Sequence, residues 1–261
     1  MDKKPLDGKT VLVTGGARRV GRLFALACGR AGANVIIHHG NSAREALDVQ
    51  NEIASFGTQA WILPSDLSNA DEVSRLISRA NEFSPLDALI NSAAIFEPLS
   101  FQDTNLEDWE RHISINLTAP FLLSQAFAKH FMHLAQGGVP AAEDGGKSNL
   151  DVIGRIVNIL DWRALRPGAD HFPYTVTKSA LAAMTKSLAI ALAPNITVNG
   201  LALGAILPPA NESASEKIIE QVPAKRWVEA GEVEDALIFL LSGPAYITGE
   251  IIHVDGGRHL I

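Results

Sequence analysis

The feature that most constrains this chain is the run TVLVTGGARRVG at 10–21. The β-branched and aliphatic residues from Thr10 to Val13 predict a buried strand, and the glycines behind them break into a helical pattern that starts near Arg18. A strand, a glycine-rich turn and a helix N-terminus in that order point main-chain N–H groups and the positive end of a helix dipole at one spot. Such a spot suits a pyrophosphate. Gly15 permits the tight turn, and Gly21 lets the helix pack closely. The same turn alone also fits an ordinary loop, so its surroundings decide.

Those surroundings repeat the theme. Apolar runs at 10–14, 34–38, 59–63, 88–90, 154–159, 197–201 and 250–254 alternate with helical patterns at 18–31, 42–55, 69–82, 106–135, 173–192 and 231–241. This alternation predicts an α/β fold: one Rossmann-type domain over 1–261, a doubly wound parallel sheet of about seven strands with ligands at the strands' carboxyl ends. With 261 residues and 47% hydrophobic content, one large core is affordable. The stretch 136–151 reads as a surface insertion.

Charge excludes some partners. Lys and Arg total 22 against 29 Asp and Glu, and the net −7 argues against nucleic acid or an anionic membrane; a small-molecule substrate is expected instead. No apolar run approaches a membrane span and none follows the N-terminal charges, so a cytoplasmic location is expected. Cys28 falls in the first helix's apolar pattern with no His or second Cys at ligand spacing, which predicts a packed thiol and no metal site.

The second strand runs into His38, His39, Gly40, Asn41 and Ser42, with no carboxylate before Glu45. A fold that binds NAD usually places an acid there to hold the ribose hydroxyls. Here Arg18 and Arg19 lie in the turn, where cations oppose the helix dipole unless an anion is close, and a guanidinium suits a phosphate on that ribose. These charges predict NADP/NADPH rather than NAD.

Thr14-Gly15 with Gly21, Asp66 after the third strand, Asn91-Ser92-Ala93-Ala94 after the fourth, Asn116, and Tyr174 with Lys178 occur in an order and spacing that resemble the short-chain dehydrogenase/reductase family over about 10–257. The resemblance implies that Asp66 meets the adenine and that the Asn91 segment lines the nicotinamide side. It also implies that Asn116, Tyr174 and Lys178 form the catalytic relay, with Asn116 holding a water and Lys178 the nicotinamide ribose. The cofactor set so assigned is Gly15, Arg18, Arg19, Val20, His39, Asn41, Ser42, Asp66, Leu67, Asn91, Ala93, Tyr174, Lys178 and Gly204. The residues give independent support: Tyr174 and Lys178 are four apart, on one helical face, and an ammonium beside a phenol is expected to lower its pKa.

Two departures narrow the resemblance. A glycine of the family's TGxxxGxG pattern is Arg19 here, and the usual serine about 13 residues before the tyrosine is Asp161. Both are similar to the pteridine and dihydromonapterin reductases, as are the segment 38–43, Tyr246-Ile247-Thr248-Gly249 and the tail 255–260. A serine serves a carbonyl oxygen, whereas a ring C=N needs a proton, which Asp161 and Tyr174 can share; an apolar surrounding is expected to favour the neutral acid. Phe96 resembles the aromatic residue that stacks a pterin, so Phe96, Asp161 and Tyr174 form the expected substrate set. Ala94, Asn41 and Leu203-Gly204 depart from the subgroup's pattern. The resemblance further implies a lid at 205–227, a homotetramer joined through the helices at 106–135 and 173–192, with Ala180, Ala182, Ala183 and Leu188 as surplus small and apolar residues, and a tail whose Arg258 or His259 reaches a neighbour's site. Two other readings are a generic carbonyl or 3-oxoacyl thioester reductase, which would prefer serine to Asp161, and a non-catalytic NADP-sensing module.

Overall fold

A computed structural model describes residues 4–136, 154–206 and 217–261. Seven strands form one sheet in the order β3-β2-β1-β4-β5-β6-β7: β1 (Thr10–Val13), β2 (Asn34–His39), β3 (Ala60–Pro64), β4 (Ala88–Asn91), β5 (Gly154–Asp161), β6 (Ile196–Leu203) and β7 (Ile251–Val254). Every pairing is parallel, as the predicted βα alternation requires. The strand order reverses between β1 and β4, and a crevice opens at the carboxyl ends beside that point.

Helices α1 (Arg19–Arg30), α2 (Ala43–Ser55), α3 (Ala70–Phe83), α4 (Leu106–Ile113), α5 (Ala119–Gln136), α6 (Phe172–Leu192) and α7 (Ala230–Ser242) cover both faces. Period-two alternation sends Val11 and Val13 into the core under α1, α2 and α7, while Leu12 joins the opposite core with Leu76, Leu123 and Phe127 of α3 and α5. Caps locate several starts: the Asn69 side chain accepts from Asp71 and Glu72 N–H at α3, and Asn105 accepts from Asp108 N–H at α4. At α1 the capping residue Arg18 makes no side-chain cap bond and the first turn has no acid, so that helix keeps its leading N–H groups for something else.

Four strand ends and one helix differ from the sequence expectation in ways that matter for the site. Strands β2, β4, β5 and β6 run on to His39, Asn91, Asp161 and Leu203. The pattern at 106–135 is not one regular helix: a π-helical turn, Ser114–Thr118, separates α4 from α5 and contains Asn116. The insertion at 136–151 lies outside the described residues except for Gln136, as does 207–216 of the expected lid. Among the described residues no helix is long and apolar enough to cross a membrane, and no group of three or more His, Cys, Asp or Glu could hold a metal. Cys28 is buried in the core under α1, where burial pushes its thiol up to about 12.

Candidate active site

One cleft of about 790 Å³ runs along the carboxyl ends of the strands and is lined by residues from the glycine-rich turn to the C-terminal tail. Its first end is built on main chain. Gly15 adopts φ +66°, a conformation that favours glycine, and its N–H donates to His38 Nδ1 at 3.1 Å. That donor obliges Nδ1 to accept, so Nε2 carries the proton and donates to the Ser65 carbonyl at 3.1 Å. Burial pulls His38 down to about 4, which keeps it in this neutral form at pH 7. Thr14 Oγ1 accepts from the Ser92 and Ala93 N–H groups at 2.9 and 3.1 Å and so ties the turn to the end of β4. A Cβ on Gly21 would collide with the Gly15 carbonyl, so the helix start can follow the turn this tightly only with glycine there.

Arg19 stands at φ +50°, in the left-handed region that favours glycine, at the position where the family pattern has one. Arg18 and Arg19 are exposed at the cleft beside Val20, His39, Asn41 and Ser42. Arg18 Nε is 3.7 Å from Glu45 Oε1, a solvent-exposed pair of small energetic value. Asp66 and Leu67 line the same end, and the Ser68 N–H and hydroxyl, each 2.8 Å from Asp66 Oδ1, hold that carboxyl below its ordinary value. An uncapped helix start, a cradle that a Cβ would fill and two unburied arginines fit a dinucleotide bearing an extra phosphate.

The second end is built on side chains. Asp161 closes β5 and Tyr174 lies on the first turn of α6; the Tyr174 hydroxyl donates to Asp161 Oδ2 at 3.3 Å. Lys178, one turn on and 2% exposed, donates from Nζ to the Ile159 carbonyl at 2.7 Å, with Nζ 5.7 Å from the Tyr174 ring centre. This geometry corrects the expected phenol. Burial and the neighbouring Asp161 charge push Tyr174 well above its ordinary value, and the Lys178 ammonium, turned to a carbonyl, does not offset them. Burial in turn pulls Lys178 down to about 8.

Asn116 holds the opposite wall. Its Oδ1 accepts from Ile95 N–H at 2.9 Å and its Nδ2 donates to Ile95 O at 3.0 Å, a two-point clamp on the residue before Phe96. Nδ2 also lies 3.3 Å from Thr177 Oγ1. Phe96 is 51% exposed, so it is a wall of the cleft and not a core residue. Its ring stacks on His171 with centroids 3.9 Å apart and meets Tyr174 edge-on at 4.7 Å. Asn91 does not line the cleft: its Nδ2 donates to Asn158 Oδ1 at 2.8 Å inside the core, and the wall falls to Ser92, Ala93, Ala94, Ile95 and Phe96. Gly204 lines the cleft as expected, with its Cα packed where a Cβ would lie 2.6 Å from Asp255 Cα.

Among the lining residues that sequence reasoning did not assign to the site are His38, Trp162, Arg163 and His171. Arg163 donates from its main-chain N–H to Asp161 Oδ1 at 2.9 Å, and its guanidinium pairs with Asp170 at 2.7 Å and with Asp161 at 3.4 Å. The available signal was position, since residues just past a strand's carboxyl end in this fold face the crevice. In the single chain Arg258 of the tail lines this same cleft. Of the residues expected at a subunit contact, Ala182 is instead buried in a cluster with Leu160, Leu181 and Ala202.

Fold and site together define a dinucleotide-dependent oxidoreductase. A family model described as enoyl-(acyl carrier protein) reductase matches residues 15–259. The 3-oxoacyl-[acyl-carrier-protein] reductase of Synechocystis is 32% identical over 257 residues, covering 97% of each chain, and the FabG enzyme of the same description from Aquifex aeolicus is 34% identical over 260 residues, covering 97% of this chain and 98% of its own. Among solved structures, FolM alternative dihydrofolate reductase 1 from Brucella canis, complexed with NADP, superposes with TM-score 0.84 at 31% identity, covering 99% of this chain and 97% of that one. The chain belongs to the short-chain dehydrogenase/reductase family.

Proposed function

We propose that this protein is an NADPH-dependent reductase of a C=N bond in a pterin of the dihydrobiopterin, dihydromonapterin or dihydrofolate type. The observation that carries the reading is the hydrogen bond from Tyr174 to Asp161, a carboxylate where the family pattern has serine. The likeness to the Brucella FolM enzyme and the exposed Phe96 ring support it. Gly15, Val20 and the α1 N-terminus would hold the pyrophosphate, Arg18, Arg19, His39, Asn41 and Ser42 the phosphate-bearing ribose, Asp66 and Leu67 the adenine, and Ala93, Lys178 and Gly204 the nicotinamide half. NADPH, when bound, supplies the hydride.

The chain's own part is to place the ring and the proton. Phe96, held by the Asn116 clamp on Ile95, offers a face on which a flat heteroaromatic ring stacks with little entropic cost. Tyr174, its phenol raised by burial, keeps its proton at neutral pH and so stands as the donor to the ring nitrogen. Asp161 receives that phenol's hydrogen bond and fixes its direction. Lys178, lowered to about 8, can return a proton to the pair near neutral pH.

A second reading, reduction of a 3-oxoacyl thioester, is favoured by the 32% and 34% identity to enzymes of that description. It leaves the Asp161 substitution without a purpose. Measuring NADPH oxidation with dihydrobiopterin, dihydromonapterin, dihydrofolate and a 3-oxoacyl thioester side by side separates the two: turnover of a pterin supports the first, and turnover of the thioester alone replaces it with the second. We also propose a cytoplasmic homotetramer joined through α5 and α6, where Phe121 and Ile190 are 42% and 84% exposed in the single chain. A monomer in light scattering at micromolar concentration would refute that assembly.

A further inference from the structure

At the second end of the cleft two arginines lie on one indole, and only Arg163 is ion-paired among the described residues. Arg163 takes both nearby carboxylates, Asp161 at 3.4 Å and Asp170 at 2.7 Å. Arg258 has none: among the described residues no Asp or Glu lies within ion-pair distance of it, and its guanidinium meets only Gln221 Oε1, at 3.1 Å, and the Trp162 ring, 4.5 Å from Cζ to centroid. Arg163 lies against the same indole at 4.6 Å, so two guanidiniums share one ring. Half-burial first, and then the neighbouring Arg163 cation, pull Arg258 below its ordinary value despite the opposing pull of Asp161, Asp170 and Asp255, none of them at ion-pair distance.

The arginine is held in place. Buried Asp255 accepts from Gly257 N–H at 3.0 Å, His259 N–H at 2.8 Å and His259 Nδ1 at 2.8 Å, which locks the turn that presents Arg258. Arg166 donates to the Arg258 carbonyl at 3.4 Å. A fixed, half-buried guanidinium facing a cleft, with no carboxylate at ion-pair distance among the described residues, is preorganised for a planar anion. The cofactor's phosphates do not account for it, because they belong with the α1 N-terminus, whereas Arg258 stands past β7 beside the Trp162 ring just after β5.

We propose that Arg258, laid on Trp162, anchors a carboxylate on the tail of the substrate. Contacts run without a gap from Phe96 to Arg163 at 5.8 Å, on to Trp162 and then to Arg258, so a ring stacked at Phe96 sends its tail along the indole to the guanidinium. Resting on the pterin reading, this makes the substrate a carboxylate-bearing, folate-type pterin and disfavours one with a neutral side chain. A phosphate-bearing tail shares the anionic chemistry, and the test distinguishes the two.

The test compares dihydrofolate with dihydrobiopterin, which has the ring without the carboxylates, using the NADPH-loaded enzyme and its Arg258→Gln and Arg258→Lys variants. The wild type should prefer dihydrofolate by kcat/KM. In Arg258→Gln that preference should shrink about 10- to 100-fold, the range for a lost charge-assisted hydrogen bond, and the change should fall in KM more than in kcat. Arg258→Lys should restore part of it. Calorimetric titration of folate and biopterin into the NADP-loaded protein should show the same selective loss in Kd, and retained NADP binding certifies the fold. Equal losses for both ligands, or no loss, overturn the anchor. If no pterin is reduced but a thioester is, the pterin reading fails by itself, and the anchor is judged on 3-oxoacyl-CoA against an uncharged 3-oxo ester: a selective loss with the CoA substrate assigns Arg258 to a phosphate and overturns the carboxylate, and an equal loss overturns any anion role.

Discussion

The two ends of the cleft are made of different material. At the dinucleotide end, glycine backbone, a strand terminus and main-chain donors form the surface, and the supporting bonds start from main-chain N–H groups, Gly15 to His38 Nδ1 and Ser92 to Thr14 Oγ1. At the substrate end, side chains from β5, the loop after β4, the start of α6 and the C-terminal turn stack and pair with one another: Phe96 on His171, Arg163 with Asp161 and Asp170, Arg258 on Trp162. A backbone surface binds a constant ligand, whereas a side-chain surface can change its ligand by substitution without disturbing the fold.

If that division is real, the ends separate by mutation. Tyr174→Phe should cost about 10²- to 10⁴-fold in kcat, the range for a lost general acid, while NADPH titration returns a nearly unchanged Kd. A matching loss of NADPH affinity would break the comparison. Gly21→Ala should do the reverse: forcing a Cβ against the Gly15 carbonyl costs about 1–3 kcal/mol, so NADPH affinity should fall about 5- to 100-fold, with melting temperature lowered too.

The same division explains what the sequence disclosed. The glycine-rich turn and seven apolar runs sufficed to predict the parallel sheet and the crevice at its carboxyl ends, because local pattern and strand termini determine both. Tyr174 and Lys178 were legible because a helix fixes residues four apart. The phenol's electrostatics were not, because burial and the Asp161 charge set the direction of its shift, while Lys178 Nζ points to the Ile159 carbonyl. His171, Arg163 and Trp162 were also illegible, since each gains meaning only from partners brought in by the fold. The π-turn that aims Asn116 at Ile95 leaves the helical periodicity at 106–135 almost undisturbed and so gave no signal.

Lys178 sharpens the comparison through pH. Its ammonium loses its proton as pH rises through about 8, so kcat/KM for reduction should fall about tenfold per pH unit above that value. Its folded value lies below the ordinary 10.5, so between about 8 and 10.5 the unfolded chain binds more protons and stability from this group rises with pH. A pH–rate profile flat to pH 10 would contradict the assignment, and urea midpoints for Lys178→Met should lose that rise. The smallest effect belongs to the exposed arginine of the first end: the wild type should favour NADPH over NADH at least about tenfold, roughly 1.4 kcal/mol, and Arg18→Ala should remove much of the gap. Equal affinities in the wild type would count against the phosphate site.

The central claim is that Asp161 converts a carbonyl-reducing site into one for a C=N bond, and Asp161→Ser tests it most directly by restoring the family's ordinary residue. Measured on the NADPH-loaded enzyme, pterin turnover should fall about 10²-fold or more while simple carbonyl turnover survives or rises. Unchanged pterin turnover in Asp161→Ser would contradict it.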